Sequence, residues 1–334
     1  MREVAQLAGV SRTTVSFVLN NTPHTNISPE TRNRVIDAAR RLNYVPDSKA
    51  ITLATGRTQM LGLVMRQTPW QVYADAFLGN VLLGLSNATE FAGYHILVHP
   101  SATDLNCEQL ARSQKVDGLI LSGPMVQEPE LVALHTEGTP IVVQGTTEPS
   151  DIPSVDVDNV RAARMATEHL LALGHRRIGH ITNAPLTYAA ARDRLAGYRQ
   201  ALESAGIPFD ALLVCEGNYT DNSGAVAMRT LLDLGDPPSA VFVASDVVAL
   251  GAIQLARERG LRIPADISLV GFDDIPLAKH LDPGLTTVHL PAFDLGRKAG
   301  EMLLHLVRGE QPPRRRVVLE TELIIRGSTG PPPA

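Results

Sequence analysis

Residues 3–20 read EVAQLAGVSRTTVSFVLN, and this stretch decides the fold of the N-terminal part of the chain. Its apolar side chains recur at helical spacing in two short series, Val4, Leu7 and Ala8 and then Val15, Val18 and Leu19. The interruption at Gly9-Val10-Ser11 therefore predicts two amphipathic helices joined by a tight turn. Gly9 can take a positive φ where the backbone reverses, and Ser11 is a suitable N-cap for the second helix.

The outer face of the second predicted helix carries hydrogen-bonding side chains, Arg12, Thr13, Ser16 and Asn20. Side chains of these types donate to phosphates and reach base edges in the major groove of DNA. The same face also fits a surface helical hairpin with a polar exterior. The stretch on its own favours DNA binding and leaves the surface hairpin open as the alternative.

A third helix is predicted to begin at Ser28-Pro29-Glu30. A serine cap, a proline in the first turn and an early acidic residue all favour a helix start. We expect its buried stripe to pack on the first two helices, with the core made by Val35, Ile36, Ala39 and Leu42 against Val4, Leu7 and Val15. The sequence thus predicts a small all-α head over residues 1–45.

The composition is that of a globular protein, and its charge is divided unevenly along the chain. Of the 334 residues 44% are hydrophobic, no apolar run reaches the roughly 18 residues of a membrane span, and the N-terminus shows no export signal. Cys107 and Cys215 are too few for a disulfide framework and lack metal-ligand spacing, so we expect a cytoplasmic protein. Residues 1–59 carry a net charge of +4 and residues 60–334 a net charge of −9, which is typical of a DNA-binding module fused to an acidic body.

From residue 60 onward, strand-like segments alternate with helical ones in two series. The predicted strands lie at 61–65, 94–100, 117–123, 140–145 and 153–158, and then at 176–182, 211–217, 240–246 and 267–274. Strict alternation predicts parallel sheets with right-handed crossovers. We therefore expect an α/β body of two doubly wound lobes, with the chain crossing back to the first lobe near residues 287–291.

Candidate ligand groups follow from this architecture, since doubly wound lobes bind ligands beyond the carboxyl ends of their strands. Asp246 ends one strand and begins a helix, so it either binds a ligand or acts as the N-cap of that helix. Asp273 and Asp274 follow another strand, but no His or Cys cluster accompanies them and a structural role fits them better. The sequence therefore predicts no enzymatic activity, no metal site and no cofactor.

AGVSRTTVSFVLN at residues 8–20 and ETRNRVIDAARRLNYVPD at residues 30–47 resemble the helix-turn-helix head of the LacI/GalR (lactose-repressor) family of bacterial transcriptional regulators. The alternating body continues the resemblance almost to the C-terminus. It implies a homodimer on a near-palindromic double-stranded DNA operator, because a two-fold dimer needs a two-fold site. It places the DNA contacts of the head at Ser11, Arg12, Thr13, Thr14, Ser16, Phe17, Asn20, Ser28, Thr31 and Tyr44. Phe17 stands where many relatives carry a base-reading Arg or His, and it can offer only apolar contact, such as with a thymine methyl.

The resemblance also implies a hinge over residues 46–58, for which a plain linker is the alternative. In the hinge, Ala50 and Leu53 would enter the minor groove when two copies meet on DNA. The effector-binding and dimerisation body is then expected over residues 59–327, with lobe 1 at about 59–158 and 290–319 and lobe 2 at about 159–289 and 320–327. Residues 328–334 form a tail.

Between the lobes the resemblance places four effector contacts, Phe77, Arg194, Tyr219 and Asp246. From the residues alone, Phe77 also fits an ordinary core position and Arg194 a surface one. The resemblance thus implies a transcriptional repressor with a periplasmic-binding-protein-like body. Its operator affinity would be controlled by a small molecule, a sugar or sugar derivative, bound between the lobes. A periplasmic-type solute-binding receptor is the alternative, against which stand the head and the lack of an export signal.

Overall fold

The computed structural model describes residues 1–19, 25–44, 52, 56–101, 107–113, 115–148 and 151–333. The head consists of α1 (Arg2–Ala8), α2 (Arg12–Leu19) and α3 (Pro29–Arg41). Gly9 ends α1 with φ 66, and the Ser11 Oγ accepts the Thr14 N–H at 3.0 Å, so both predictions for the turn are confirmed. The Ser28 Oγ likewise caps α3 by accepting the Thr31 N–H at 3.2 Å.

The core of the head is made of small and β-branched side chains from all three helices: Val4, Ala5, Ala8, Val15, Val18, Val35, Ala38 and Ala39. Two predicted core residues were wrong, because Leu7 is 50% exposed and Leu42 is 40% exposed. The buried face of α1 runs through Val4, Ala5 and Ala8, and Leu7 lies to one side of it. Leu42 follows the last residue of α3, where the helix no longer directs its side chain inward.

Lobe 1 is built on a six-stranded parallel sheet in the order β11-β5-β4-β3-β1-β2. Its strands are β1 (Met60–Met65), β2 (His95–Pro100), β3 (Gly118–Ser122), β4 (Ile141–Gln144), β5 (Ser154–Val157) and β11 (Arg316–Leu319). Its helices are α4 (Pro69–Ala74), α5 (Leu78–Thr89), α6 (Cys107–Arg112), α7 (Pro129–Thr136) and α12 (Ala292–Val307), with a 3₁₀ turn at Glu90–Ala92. Helix α4 is a short additional helix between β1 and α5, beyond the strict alternation of strand and helix that the sequence predicts.

Lobe 2 repeats the plan with a second six-stranded sheet in the order β12-β10-β9-β8-β6-β7. Its strands are β6 (Ile178–Ile181), β7 (Val214–Cys215), β8 (Ala240–Val243), β9 (Ser268–Asp273), β10 (Thr286–His289) and β12 (Glu322–Ile324). Its helices are α8 (Asn159–Ala172), α9 (Ala189–Ser204), α10 (Asp221–Leu232) and α11 (Asp246–Glu258), with 3₁₀ turns at Ala211–Leu213 and Ala278–His280. Among the strands of the described residues, only β12 runs antiparallel to its neighbour, so the prediction of two doubly wound α/β lobes is confirmed.

The chain passes between the lobes three times: from β5 into α8, from β10 into α12, and from β11 into β12. The second crossing falls at the segment 287–291, as the sequence predicts. The strands β11 and β12 occupy corresponding edges of the two sheets, beside β5 and β10. All three crossings therefore leave from one side of the body.

Glycines allow the helices on the sheets to approach closely. A Cβ on Gly84 of α5 would overlap the carbonyl oxygen of Phe293, and a Cβ on Gly296 of α12 would overlap that of Val81. Close contact of this kind excludes any larger residue unless the helices move apart. Within the described ranges, no helix combines the length and apolarity needed to cross a bilayer.

Candidate functional site

The first candidate site is the exposed face of α2 in the head. Arg12 and Thr13 are exposed at the start of the helix, and Phe17 is 38% exposed one turn further on. Thr14 and Ser16 are half-buried, and the Thr14 hydroxyl shares a 2.8 Å hydrogen bond with that of Ser11. Main-chain N–H groups at a helix start attract anions, so this end of α2 suits a phosphate backbone.

The remaining head residues predicted to contact DNA lie on or after α3. Ser28 is exposed at its start, Thr31 is half-buried in its first turn, and the Ser28 hydroxyl donates to the Thr31 Oγ1 at 3.0 Å. Tyr44 is half-buried and packs on the core of the head. The other predicted DNA contacts, Asn20, Ala50 and Leu53, lie outside the described residues.

The second candidate site is a cleft lined by both lobes, at the carboxyl ends of their strands. It encloses about 980 Å³, part of it open to solvent. Lobe 1 supplies the residues that follow β1, β3 and β4, among them Gln67 and Gln144, while lobe 2 supplies Asn183, Ser245 and Asp273. Parallel sheets of this type bind ligands at this edge.

Arg194 is held rigidly in the wall of this cleft. It projects from α9 and is buried, which rules out the surface alternative. Its Nε donates to the Asn159 Oδ1 at 2.9 Å and its Nη1 donates to the Ala244 carbonyl at 2.6 Å. Its guanidinium carbon lies 3.7 Å from the ring centroid of Phe272. A guanidinium fixed on three sides can offer its donors to a ligand in one orientation.

The two predicted aromatic contacts also line the cleft. Phe77 lies just before α5 and is half-buried, and Tyr219 adopts a positive φ of 58. The Tyr219 ring meets Tyr188 edge to face, with the centroids 5.4 Å apart. Burial raises the pKa of Tyr219 well above its ordinary value, so its hydroxyl stays protonated and can donate. The cleft therefore offers an aromatic side chain from each lobe.

Asp246 is not brought into the cleft with the other three predicted contacts. It is fully buried, its Oδ1 accepts the Thr287 hydroxyl at 2.7 Å, and its Oδ2 accepts the Ile275 N–H at 3.0 Å. A Cβ on Gly271 would overlap its Oδ1, so the carboxylate fills the space above that glycine. The N-cap alternative is not met either, because Ser245 is the cap residue and Asp246 is the first residue of α11.

Of the aspartates at the ends of lobe 2 strands, Asp273 lines the cleft, although the sequence predicts a structural role for it, and Asp75 and Asp156 of lobe 1 line the cleft as well. Asp273 ends β9 with a φ of 117 and accepts the Ser245 hydroxyl at 3.0 Å. Burial raises its pKa to about 7, and the nearby Arg194 partly opposes this rise. Its neighbour Asp274 instead pairs with Arg326 at 2.6 Å and accepts from His289, so the structural role predicted for Asp274 is confirmed.

Within the part of the chain that the structure describes, no group of three His, Cys, Asp or Glu side chains is arranged to hold a metal ion. The cleft combines the fixed guanidinium of Arg194 with three carboxylates and two aromatic rings. These groups can bind a polar ligand and stack on it.

Comparisons with known proteins find relatives of both the head and the body. Residues 1–47 match the family model described as bacterial regulatory proteins, lacI family, and residues 167–329 match a periplasmic binding protein-like domain. The chain is 38% identical over 333 residues to the transcriptional regulator CelR of Thermobifida fusca, covering 97% of this chain and 96% of that protein. It is 34% identical to the transcriptional repressor CytR of Escherichia coli K12, covering 98% and 96% respectively.

Solved structures show the same likeness over the whole length. A complex of the regulator CelR with cellobiose superposes with a TM-score of 0.76 at 36% identity, covering 98% of each chain. A lac repressor dimer bound to operator and an anti-inducer superposes with a TM-score of 0.84 at 30% identity, again covering 98% of each chain. Such relatives are regulators of transcription and not enzymes or receptors, and this chain belongs to the lacI family of bacterial regulatory proteins.

Proposed function

We propose that this protein represses transcription by binding a near-palindromic operator as a homodimer, and that a sugar or sugar derivative in the cleft controls its affinity for DNA. The proposal of an effector is supported chiefly by the placement of Arg194 near Asp273 in a cleft lined by both lobes. A ligand held by both lobes changes the energy of their relative orientation. Its effect on DNA affinity is then a coupling free energy of about 1–3 kcal/mol.

The DNA half rests on the exposed start of α2. Arg12 and Thr13 are free to enter a major groove, and Phe17 offers an apolar surface one turn away. The two heads of a homodimer would each read one half of the operator. We propose residues 1–45 as the head, 46–58 as the hinge, 59–327 as the body with the lobe limits given above, and 328–334 as the tail.

Effector contacts are proposed at Phe77, Arg194, Tyr219 and Asp273, with Asp273 in the role first assigned to Asp246. The relative crystallised with cellobiose supports a sugar-type effector. A cytoplasmic location is proposed from the family and from the paucity of cysteines.

The test is a gel shift with DNA from the region upstream of the gene itself, with and without candidate effectors. We expect the protein to retard one near-palindromic segment, and an effector that raises the melting temperature to change that retardation. Arg194→Lys keeps the positive charge but lacks the planar fork, so it should abolish the effector response and leave operator binding intact. A protein that binds no such segment, or whose ligand leaves operator affinity unchanged, would refute the proposal.

A further inference from the structure

The charges that line the cleft are unbalanced. Of the charged side chains that line it in the described ranges, three are the carboxylates Asp75, Asp156 and Asp273, and two are the guanidinium groups of Arg66 and Arg194. Arg66 is already paired with the buried carboxylate of Glu128, to which its Nε donates at 3.1 Å. One cation is left to face three carboxylates, so the lining is net negative when all three are ionised.

Each carboxylate is held in place by the protein. Asp75 accepts the Phe77 N–H at 2.9 Å, and Asp156 accepts the Val157 N–H at 2.7 Å and the Asn159 Nδ2 at 3.2 Å. An ionised carboxylate offers about four lone-pair positions. The second oxygens are engaged as well, since the Asp75 Oδ2 accepts the Gln67 Nε2 at 3.3 Å and the Asp156 Oδ2 accepts the Thr146 hydroxyl at 3.4 Å. These contacts fix the orientation of both carboxylates, and an oxygen that accepts a single hydrogen bond keeps a second lone pair for a ligand.

Three uncharged side chains in the same lining support a ligand independently of the acids. The Gln67 Oε1, the Gln144 Nε2 and the Asn183 Oδ1 are buried atoms without a hydrogen-bond partner among the described residues. Their side chains belong to residues only 6%, 8% and 5% exposed. Buried polar atoms are normally satisfied, so these three indicate partners on a ligand. Two of the three are acceptors, so they match donors on a ligand.

We infer that Asp75, Asp156 and Asp273 act together as a charge filter, so that the cleft admits hydroxyl-rich ligands that are uncharged or carry an amine and excludes phosphorylated and carboxylated ones. This inference rests on the proposed effector site and adds the chemical class of its ligand. Hydroxyl and ammonium groups donate to the three carboxylates. A phosphate or carboxylate would bring a further negative charge into a poorly solvated site, where such charges repel strongly.

The filter also makes binding depend on pH. Burial raises the pKa of Asp156 to about 6 and that of Asp273 to about 7, and it raises the pKa of Asp75 as well. The charged neighbours of Asp156 are Arg194 and Asp193, those of Asp273 are Arg194, Asp75 and the buried Asp246, and Asp75 also faces Tyr219. Donors on an uncharged ligand favour the ionised carboxylates, so binding releases protons and affinity rises from pH 5.5 to 7.5. For an anionic ligand the sign is reversed.

The experiment uses the full-length protein and matched sets of sugars. Each set contains one uncharged mono- or disaccharide and its amino, phosphorylated and carboxylated forms. The glucose set, for example, consists of glucose, glucosamine, glucose 6-phosphate and glucuronate. The other sets are based on galactose, ribose and cellobiose. An increase in the melting temperature of the protein identifies the set of sugars that binds. Calorimetry at pH 5.5, 6.5 and 7.5 then measures the affinity of each member of that set. We expect the uncharged or aminated member to bind at least tenfold more tightly than either anionic member at pH 7.5. This ratio of affinities should be smaller at pH 5.5.

A pair of substitutions separates the filter from a general effect on the lobe. Asp156→Asn keeps the size of the side chain and removes its charge, so it should improve the relative affinity of the anionic member at least tenfold and reduce the pH dependence, of which Asp273 retains its share. Asp158→Asn is the matched control. It lies two residues away, is exposed outside the cleft lining, and caps α8, a role that asparagine also fills. It should leave both readouts at wild-type values.

The outcomes are distinguishable. If a phosphorylated or carboxylated sugar binds most tightly and alters operator binding, the filter is overturned and the proposed function stands. Unchanged discrimination in Asp156→Asn also overturns the filter. If no member of any set raises the melting temperature, the sugar-effector site fails, and the filter fails with it.

Discussion

The hydroxyl of Tyr188 donates a 2.7 Å hydrogen bond to the main-chain carbonyl of Arg66, and this bond joins lobe 2 to lobe 1. Nearby, the Ala189 N–H donates to the Pro124 carbonyl at 3.1 Å. The Gln71 Nε2, on the short helix α4, donates to the Asn218 carbonyl at 3.1 Å. These contacts hold the lobes together beside the cleft. Any opening of the cleft must break them.

Tyr188→Phe should therefore weaken effector binding. The ring is kept, but the buried Arg66 carbonyl loses its partner, at a cost of about 1 kcal/mol to the joined arrangement. We expect calorimetry to show roughly a fivefold loss of effector affinity. Tyr198→Phe is the control, because its hydroxyl makes a similar 2.7 Å bond to the Ile178 carbonyl within lobe 2. It should lower the melting temperature and leave effector affinity unchanged, and equal affinity losses in both variants would contradict this role for Tyr188.

Thr13→Ala should change which operator is preferred. Thr13 is exposed at the start of α2, where a side chain reaches base edges. Thr31→Ala, in the first turn of α3, should weaken binding to all operators alike, since a phosphate contact carries no sequence information. Gel shifts on a panel of operators with single base changes test both. A uniform loss in both variants would place the reading face elsewhere.

Asp273→Asn should lower effector affinity at least tenfold, while Asp246→Asn should leave it nearly unchanged. Only Asp273 lines the cleft, whereas both oxygens of Asp246 are taken up by Thr287 and Ile275. Calorimetry with the binding sugar measures the difference. A larger loss in Asp246→Asn would restore the role that the sequence first suggested for that residue.

Asp246→Asn should also change how the stability of the fold depends on pH. Burial, and then the charge of Asp273, raise the pKa of Asp246 well above its ordinary value. A carboxyl group with a higher pKa in the folded chain stabilises the fold most at acid pH, below its unfolded pKa. That contribution is lost as the pH rises toward the folded pKa. Asp246→Asn should therefore gain stability relative to the wild type between pH 4 and pH 8, measured by urea unfolding, and a constant difference would contradict the shift.

Gly84→Ala should destabilise lobe 1 by about 2–3 kcal/mol, because the added methyl overlaps the Phe293 carbonyl and forces α5 and α12 apart. Gly79→Ala is the control on the same helix, since nothing lies within 4 Å of a Cβ at that position. It should be neutral or slightly stabilising. Melting temperatures of the two variants compare them directly, and equal values would show that the helices are not in close contact at Gly84.

Much of the fold could be predicted because its signals are local. The caps at Ser11 and Ser28 are set by residues three positions apart. The alternation of strands and helices repeats along the whole body. Helix α4 was missed because its large apolar side chains, Trp70 and Tyr73, are exposed and form no buried stripe, although its capping box, Thr68 with Gln71, can be recognised in the sequence. Leu7 and Leu42 were misplaced because spacing alone does not fix which side of a short helix is buried.

The ligand site was harder to predict, because its lining depends on the backbone conformation at the carboxyl end of each strand. Asp273 is the last residue of the buried strand β9, and Asp246 follows the neighbouring buried strand β8 of the same sheet. The backbone at Asp273 has a φ of 117, and this residue lines the cleft. The backbone at Asp246 is already helical, and its carboxylate lies over Gly271 instead. Such a difference lies in the tertiary packing and leaves no trace in either residue's neighbours along the chain.

The order of strands in the two sheets also governs how this protein is made. Each sheet receives one edge strand, β11 or β12, from residues 316–324, so neither lobe is complete until the ribosome has translated these residues. The helices and core of the head come from residues 1–44 alone. Since chains emerge N-terminus first at about 5–20 residues per second, the head can fold many seconds before either lobe does. A nascent chain therefore carries a folded DNA-binding surface well before it has a site for the molecule that regulates it.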